Sequence, residues 1–248
     1  MLNRLLSFPT VSLAALSKVA FLMTVTYAGA AWADIDFGGQ TRFIMDEKNG
    51  RKNIEIVNDG REPALVQISI GWGNEDASPS LPVAVSKPLL LIPARQRASV
   101  EVMYQGEGLP NDRESYFLMS VMEIPKKADA PDTLQFAIRH HLKLLYRPQL
   151  SIASQEAIDR LGWTRQPGSS LPSARNDSPY YLTLTDIELK DSNGKACGKV
   201  LRHWMLEPYS TQALPDSGCA VPPSGVSYVY ISDGGFEHPR TVSLRSAP

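Results

Sequence analysis

Short strand-like runs with alternating apolar and polar residues recur at roughly 10–15 residue spacing along this chain, and helical periodicity is nearly absent. In the first half the alternation predicts strands over TRFIM (41–45), NIEIVN (53–58), ALVQISIGW (64–72), SKPLLLIP (86–93), ASVEVMY (98–104), SYFLMSVMEIP (115–125) and LQFAIRHHLKLLYRP (134–148). Asn49-Gly50 is a tight-turn signal between the first two. The segments GNEDASPSLP (73–82) and KKADAPD (126–132) are rich in turn residues and read as loops. The run 151–179 is polar with weak strand character, and its AIDRLGW reads as a short helical turn or an irregular strand. Strand signals return with YYLTLTDIELK (180–190), KVLRHWML (199–206), TQAL (211–214), VSYVYIS (226–232) and TVSLRS (241–246), with Asn193-Gly194 as a second turn signal.

Seven short strands before Pro148 are the number an immunoglobulin-like sandwich needs. The expectation is an all-β chain with two sandwich domains, residues 34–148 and a smaller one over 149–248. Residues 1–33 read as a secretory signal. An apolar core, VAFLMTVTYAGA (19–30), is followed by Ala31-Trp32-Ala33, an A-x-A cleavage pattern, so Asp34 would begin the mature protein. That core is short of the roughly 20 apolar residues a membrane span needs.

Charge excludes some functions. Without Arg4 and Lys18 the 25 basic residues become 23 against 26 acidic ones, a net charge of −3. This is neither a nucleic-acid footprint nor a polybasic membrane patch. Export implies an oxidising compartment, where the two cysteines, Cys197 and Cys219, most simply form a disulfide. Their spacing is not a metal pattern. No G-x-S-x-G, H-E-x-x-H or phosphate-loop motif is present. His140 and His141 are adjacent in a strand and point to opposite faces, so they cannot grip one metal ion together. His203 and His238 read, like them, as surface or edge positions.

The stretch HLKLLYRP (141–148) poses a question. Leu142, Leu144 and Tyr146 fall on one face, and His141, Lys143, Leu145 and Arg147 on the other. Two cations this close in an apolar strand are costly unless paired, from within the chain or from outside. Upstream, Leu134, Phe136 and Ile138 alternate with Gln135, Ala137 and Arg139. The pattern fits a strand facing its own core. It also fits an exposed edge that accepts a strand from another protein.

Several stretches, in order, resemble the periplasmic pilus chaperones that partner outer-membrane ushers. They are TRFIM (41–45), LPNDRESYF (109–117) with MEIP (122–125), KLLYRP (143–148), NDSPYYLTL (176–184), MLEPYSTQ (205–212) and ISDGG (231–235). The resemblance implies two immunoglobulin-like domains set as an L with a binding cleft between them, no enzymatic activity and no cofactor. It places a pair of cations that bind the C-terminal carboxylate of a pilus subunit on Arg42 and Lys143. It places groove-filling apolar side chains on Leu134, Phe136 and Ile138, and an interdomain ionic network on Glu114, Arg147 and Asp233. Arg147 would then be paired internally, while Lys143 would wait for an outside carboxylate. The family's mode is strand addition to a pilus subunit, so the implied partners are pilus subunits and the usher, in the periplasm, without membrane insertion after signal cleavage. Two departures, Leu118 and Ser120 where the family commonly has tryptophan and asparagine, mark a divergent branch. A second reading, an exported fibre subunit or adhesin-like binding module, needs an alternating donor extension after the signal, and DIDFGGQ (34–40) is too short for one. An exported enzyme on a sandwich scaffold is a third reading, against which stands the lack of the usual site constellations.

Overall fold

The computed structural model describes residues 35–73, 80–126, 136–165, 171–215 and 219–246. The expected signal over 1–33, Leu134 and most of the KKADAPD loop lie outside the described residues.

The first half forms two facing sheets. One has the strand order β1 (Ile35–Asp36), β3 (Arg51–Asn58), β7 (Arg97–Tyr104), β5 (Val83–Val85). The other has the order β2 (Arg42–Asp46), β9 (Arg139–Arg147), β8 (Ser115–Ile124), β4 (Ala64–Trp72), β6 (Leu89–Ile92). Alternation makes the core: Ile54, Ile56, Val100 and Val102 point inward from the first sheet. Val66, Ile68, Phe117, Met119, Val121 and Leu144 meet them from the second. The Asn49-Gly50 turn joins β2 to β3, with Gly50 at φ 58° donating its N–H to Asp46 O at 3.0 Å.

The second half has its own core between two more sheets. One runs β14 (Ser210–Ala213), β11 (Pro172–Asn176), β10 (Leu161–Arg165), β17 (Arg245–Ser246). The other runs β13 (Ala196–Leu206), β12 (Leu182–Lys190), β15 (Gly225–Ile231), β16 (Glu237–Ser243). Leu182, Leu184, Ile187, Val226 and Tyr228 pack with Trp163 and Ala174, and a 3-10 turn over Ser154–Arg160 adds Ala157 and Ile158. Cys197 and Cys219 are joined by a disulfide.

Strands the sequence pattern does not mark include β1 and β5, the expected strand over 241–246 is divided between β16 and β17, and three further differences bear on the site or the core. Within the described part of the run 134–148 the strand begins at Arg139; Phe136–Ile138 is outside the ladder, although Glu123 still donates its N–H to Ile138 O at 3.0 Å. AIDRLGW supplies both the end of the 3-10 turn and the start of β10, so it is helical turn and strand in succession. The unpredicted β11 is PSARN, whose inward positions are Pro172, Ala174 and Asn176. Small or polar inward residues leave no hydrophobic alternation to read.

Candidate functional site

β9 carries the chemistry. Lys143, Leu145 and Arg147 share one face of it, because successive side chains of a strand point to opposite sides. Leu145 lies on this outer face yet is only 1% exposed, so the face is covered there.

Arg42 and Lys143 are register partners in the parallel β2–β9 pair. The Arg42 guanidinium donates to the carbonyls of Ile231 at 3.2 Å and Ser232 at 3.3 Å, and to the Thr183 hydroxyl at 2.6 Å. Lys143 Nζ donates to the same hydroxyl at 3.3 Å and lies 2.8 Å from His203 Nε2. Among the described residues neither cation is paired with a carboxylate. Burial, with Arg42 alongside, lowers the Lys143 ammonium to about 8. Burial also lowers Arg42. Burial first, then the two cations, lower His203, which favours its neutral imidazole. All three shifts have burial as their largest cause, and a carboxylate placed beside the two cations would act against it.

Four residues farther along, Arg147 is fully engaged. Its Nε donates to Glu114 Oε1 at 2.7 Å, and its two terminal nitrogens donate to the two Asp233 oxygens at 2.8 Å each. This bidentate fork is the strong form of the pair. Glu114, 2% exposed, also accepts the Tyr181 N–H at 2.8 Å, and Asp233 accepts the Ser154 hydroxyl at 2.8 Å. The guanidinium carbon sits 4.9 Å from the Tyr180 ring centroid. Burial pushes the Glu114 carboxyl up against the pull of Arg147 and the Tyr181 N–H. For Asp233 burial pushes the same way, but the bonds from Arg147 outweigh it and hold the carboxyl below its ordinary value.

One loop serves both cations. Ile231 and Ser232 give Arg42 their carbonyls, and the next residue, Asp233, gives Arg147 its carboxylate. The structure thus brings Arg42 beside Lys143, and Glu114 and Asp233 onto Arg147. Phe136 and Ile138 lie before β9, 75% and 41% exposed. β2 pairs with β9 only from Lys143 onward, so among the described residues Arg139–Leu142 has β8 on one side and no strand on the other. Thr183 and His203 belong to the site without having been singled out in the sequence. A threonine in YYLTLTDIELK and a histidine in KVLRHWML carry no local signal, since only the packing of β12 and β13 brings them to Lys143.

Comparison with known proteins gives these geometries a family. Residues 38–151 match the pili and flagellar-assembly chaperone PapD N-terminal domain, and residues 156–242 match the pili assembly chaperone PapD C-terminal domain. The chain belongs to the pilus-assembly chaperone family. It is 33% identical to the chaperone protein FimB/FhaD of Bordetella pertussis, over 90% of this chain and 93% of that protein. It is 30% identical to the probable fimbrial chaperone YadV of Escherichia coli, over 82% of this chain and 85% of that protein. The solved YadV structure superposes with a TM-score of 0.69, covering 86% of this chain and all of that one at 28% identity. Arg42, Glu114, Lys143 and Arg147 fall in the first family segment, and Thr183, His203 and Asp233 in the second. The cation pair and the ion network therefore each join both halves of the family fold. Among the described residues no group of three or more His, Cys, Asp or Glu side chains is placed to hold a metal ion. Among those residues, too, no helix is long and apolar enough to cross a membrane.

Proposed function

We propose that this chain is a periplasmic chaperone for pilus subunits. It lends the edge of β9 and the segment before it to a subunit, holds the subunit's C-terminal carboxylate between Arg42 and Lys143, and hands the subunit to an outer-membrane usher. The observation that carries this reading is the pair of adjacent, partly buried cations without a carboxylate partner among the described residues, at the point where the open part of β9 ends. A carboxylate bound by both makes charge-assisted hydrogen bonds and can sit in only one place. That place sets the register of everything along β9, where a slip of one residue would turn each added side chain to the wrong face.

Phe136 and Ile138 fit the groove-filling role because they are apolar, exposed and just beyond the strand end, and Leu134 continues their spacing. The Glu114–Arg147–Asp233 network fixes the two sandwiches relative to one another, so the carboxylate contacts from β2 and β9 keep their supports on β12 and β13. Residues 1–33 act as a cleaved export signal, 34–148 as the subunit-binding domain and 149–248 as its supporting domain. The work is binding and release, with no covalent step and no cofactor.

The test is coexpression of the full chain with a pilus subunit in a bacterial periplasm, beside Lys143→Ala. Affinity recovery of the chain should bring the subunit with it, identified by intact mass, and the variant should lose it while keeping a β-sheet circular dichroism spectrum. Equal subunit recovery by the folded variant would remove the carboxylate role.

A further inference from the structure

Lys143 leaves the first sandwich and ends against the second. Lysine is a point charge on a flexible four-carbon stem, and holding it still costs side-chain entropy. Here two acceptors on neighbouring strands of one sheet receive it: the Thr183 hydroxyl on β12 and the His203 imidazole on β13. We propose that His203 is a positioning residue of the carboxylate site. Its Nε2 accepts from Lys143 Nζ and, together with Thr183, fixes the ammonium beside Arg42 with one N–H left for the incoming carboxylate. This rests on the reading of Arg42 and Lys143 as the carboxylate pair.

The chemistry is specific. An ammonium has three N–H donors and no acceptor. Two are engaged, by Thr183 at 3.3 Å and by His203 at 2.8 Å. His203 can accept only as the neutral tautomer with its proton on Nδ1, because a protonated imidazole would set an N–H against an ammonium. The charged groups bearing on His203 are Lys143 from β9 and Arg42 from β2, both positive. Its cross-strand partner Thr185 and nearby Thr183 are uncharged. The adjacent Arg202 is paired with Asp186 at 2.8 Å. Burial first, and then this surrounding charge, favour the neutral ring that can accept. The neutral ring in turn stabilises the protonated form of Lys143, which is the form a carboxylate needs.

The experiment uses the mature chain labelled with 13C at lysine Cε, with His203→Ala, His203→Gln and Lys143→Ala, all checked for folding by circular dichroism. Lys143→Ala identifies the Lys143 signal by its loss. Sodium acetate serves as the carboxylate probe, read on that signal, and recovery of a coexpressed pilus subunit is the second readout. In the wild type the Lys143 midpoint is expected at about 8. His203→Ala should move that midpoint down and weaken acetate binding about tenfold, the size of one charge-assisted hydrogen bond. His203→Gln, whose amide oxygen also accepts, should restore both. An unmoved midpoint in His203→Ala, or His203→Gln behaving like His203→Ala, would overturn the proposal. Subunit recovery that survives Lys143→Ala would overturn the carboxylate site itself, while recovery lost in Lys143→Ala beside an unmoved midpoint in His203→Ala would remove only the role of His203.

Discussion

Arg42 and Lys143, neighbours on parallel strands of the first sandwich, donate to one hydroxyl, that of Thr183 in the second. Two like charges share this neutral partner in a partly buried site, so burial first, and then Arg42, raise the cost of the Lys143 charge. That cost is the source of the proposed pull on a carboxylate and of the pH dependence expected of the site.

The sign of the pH dependence follows from Lys143, lowered from 10.5 to about 8. Between those values the unfolded chain binds more protons than the folded one, so the Lys143 contribution to stability rises with pH across that window. Carboxylate binding has the opposite trend, because it requires the ammonium and falls as pH rises through about 8. Denaturant unfolding of wild type and Lys143→Met should therefore give a stability difference that shrinks from pH 7.5 to pH 10, with Lys143→Met the more stable at the lower pH. Subunit affinity of the wild type should fall between pH 7 and pH 9. A flat stability difference would contradict the account.

Arg147→Ala should be the most damaging single change at the ion network. It leaves Glu114, whose side chain is 1% exposed, without its cation. Removing one partner of a buried pair costs about 3–5 kcal/mol. Asp233→Asn keeps the Glu114 bond and acts at a side chain that is 32% exposed, so the loss should be smaller, about 1–2 kcal/mol. Urea denaturation midpoints rank the two.

Asp233 also sets the acid response. Its carboxyl is held below the ordinary value, so its contribution is present at neutral pH and is lost as pH falls below about 4 toward the folded value. Wild type should lose stability over that range more steeply than Asp233→Asn, measured by thermal unfolding from pH 5 to pH 3.

Phe136 separates binding from folding. It is 75% exposed and outside both cores, so Phe136→Ser should change the free chain's stability by no more than about 0.5 kcal/mol. Subunit recovery should nonetheless drop, because under the proposed function this side chain fills the subunit's groove. Recovery equal to wild type would detach this segment from the interface.

Much of the fold was legible because period-two alternation marks half-buried strands, as in SYFLMSVMEI, where Phe117, Met119 and Val121 point inward in turn. It failed where inward residues are small or polar, as at Ala174 and Asn176 in β11. The adjacency of Arg42 and Lys143 and the ion network were legible only through family resemblance, since nothing local links Arg42 to Lys143, or Glu114, Arg147 and Asp233 to one another, across about a hundred residues of chain. His203 was beyond both routes. Its place depends on how β13 lies against β12 and how that sheet meets Lys143, which no alternation encodes.

The central claim is that a free C-terminal carboxylate is held between Arg42 and Lys143. The direct measurement is the affinity of the mature chain for a pilus subunit with its native C-terminus, against the same subunit extended by a short Gly-Ser tail. Moving the carboxylate away removes two charge-assisted contacts, so binding should weaken about a hundredfold. The Lys143→Ala chain, which keeps only the Arg42 contact, should show a smaller difference between the two forms, about tenfold. Equal affinity of the wild-type chain for the native and extended subunits would contradict the account.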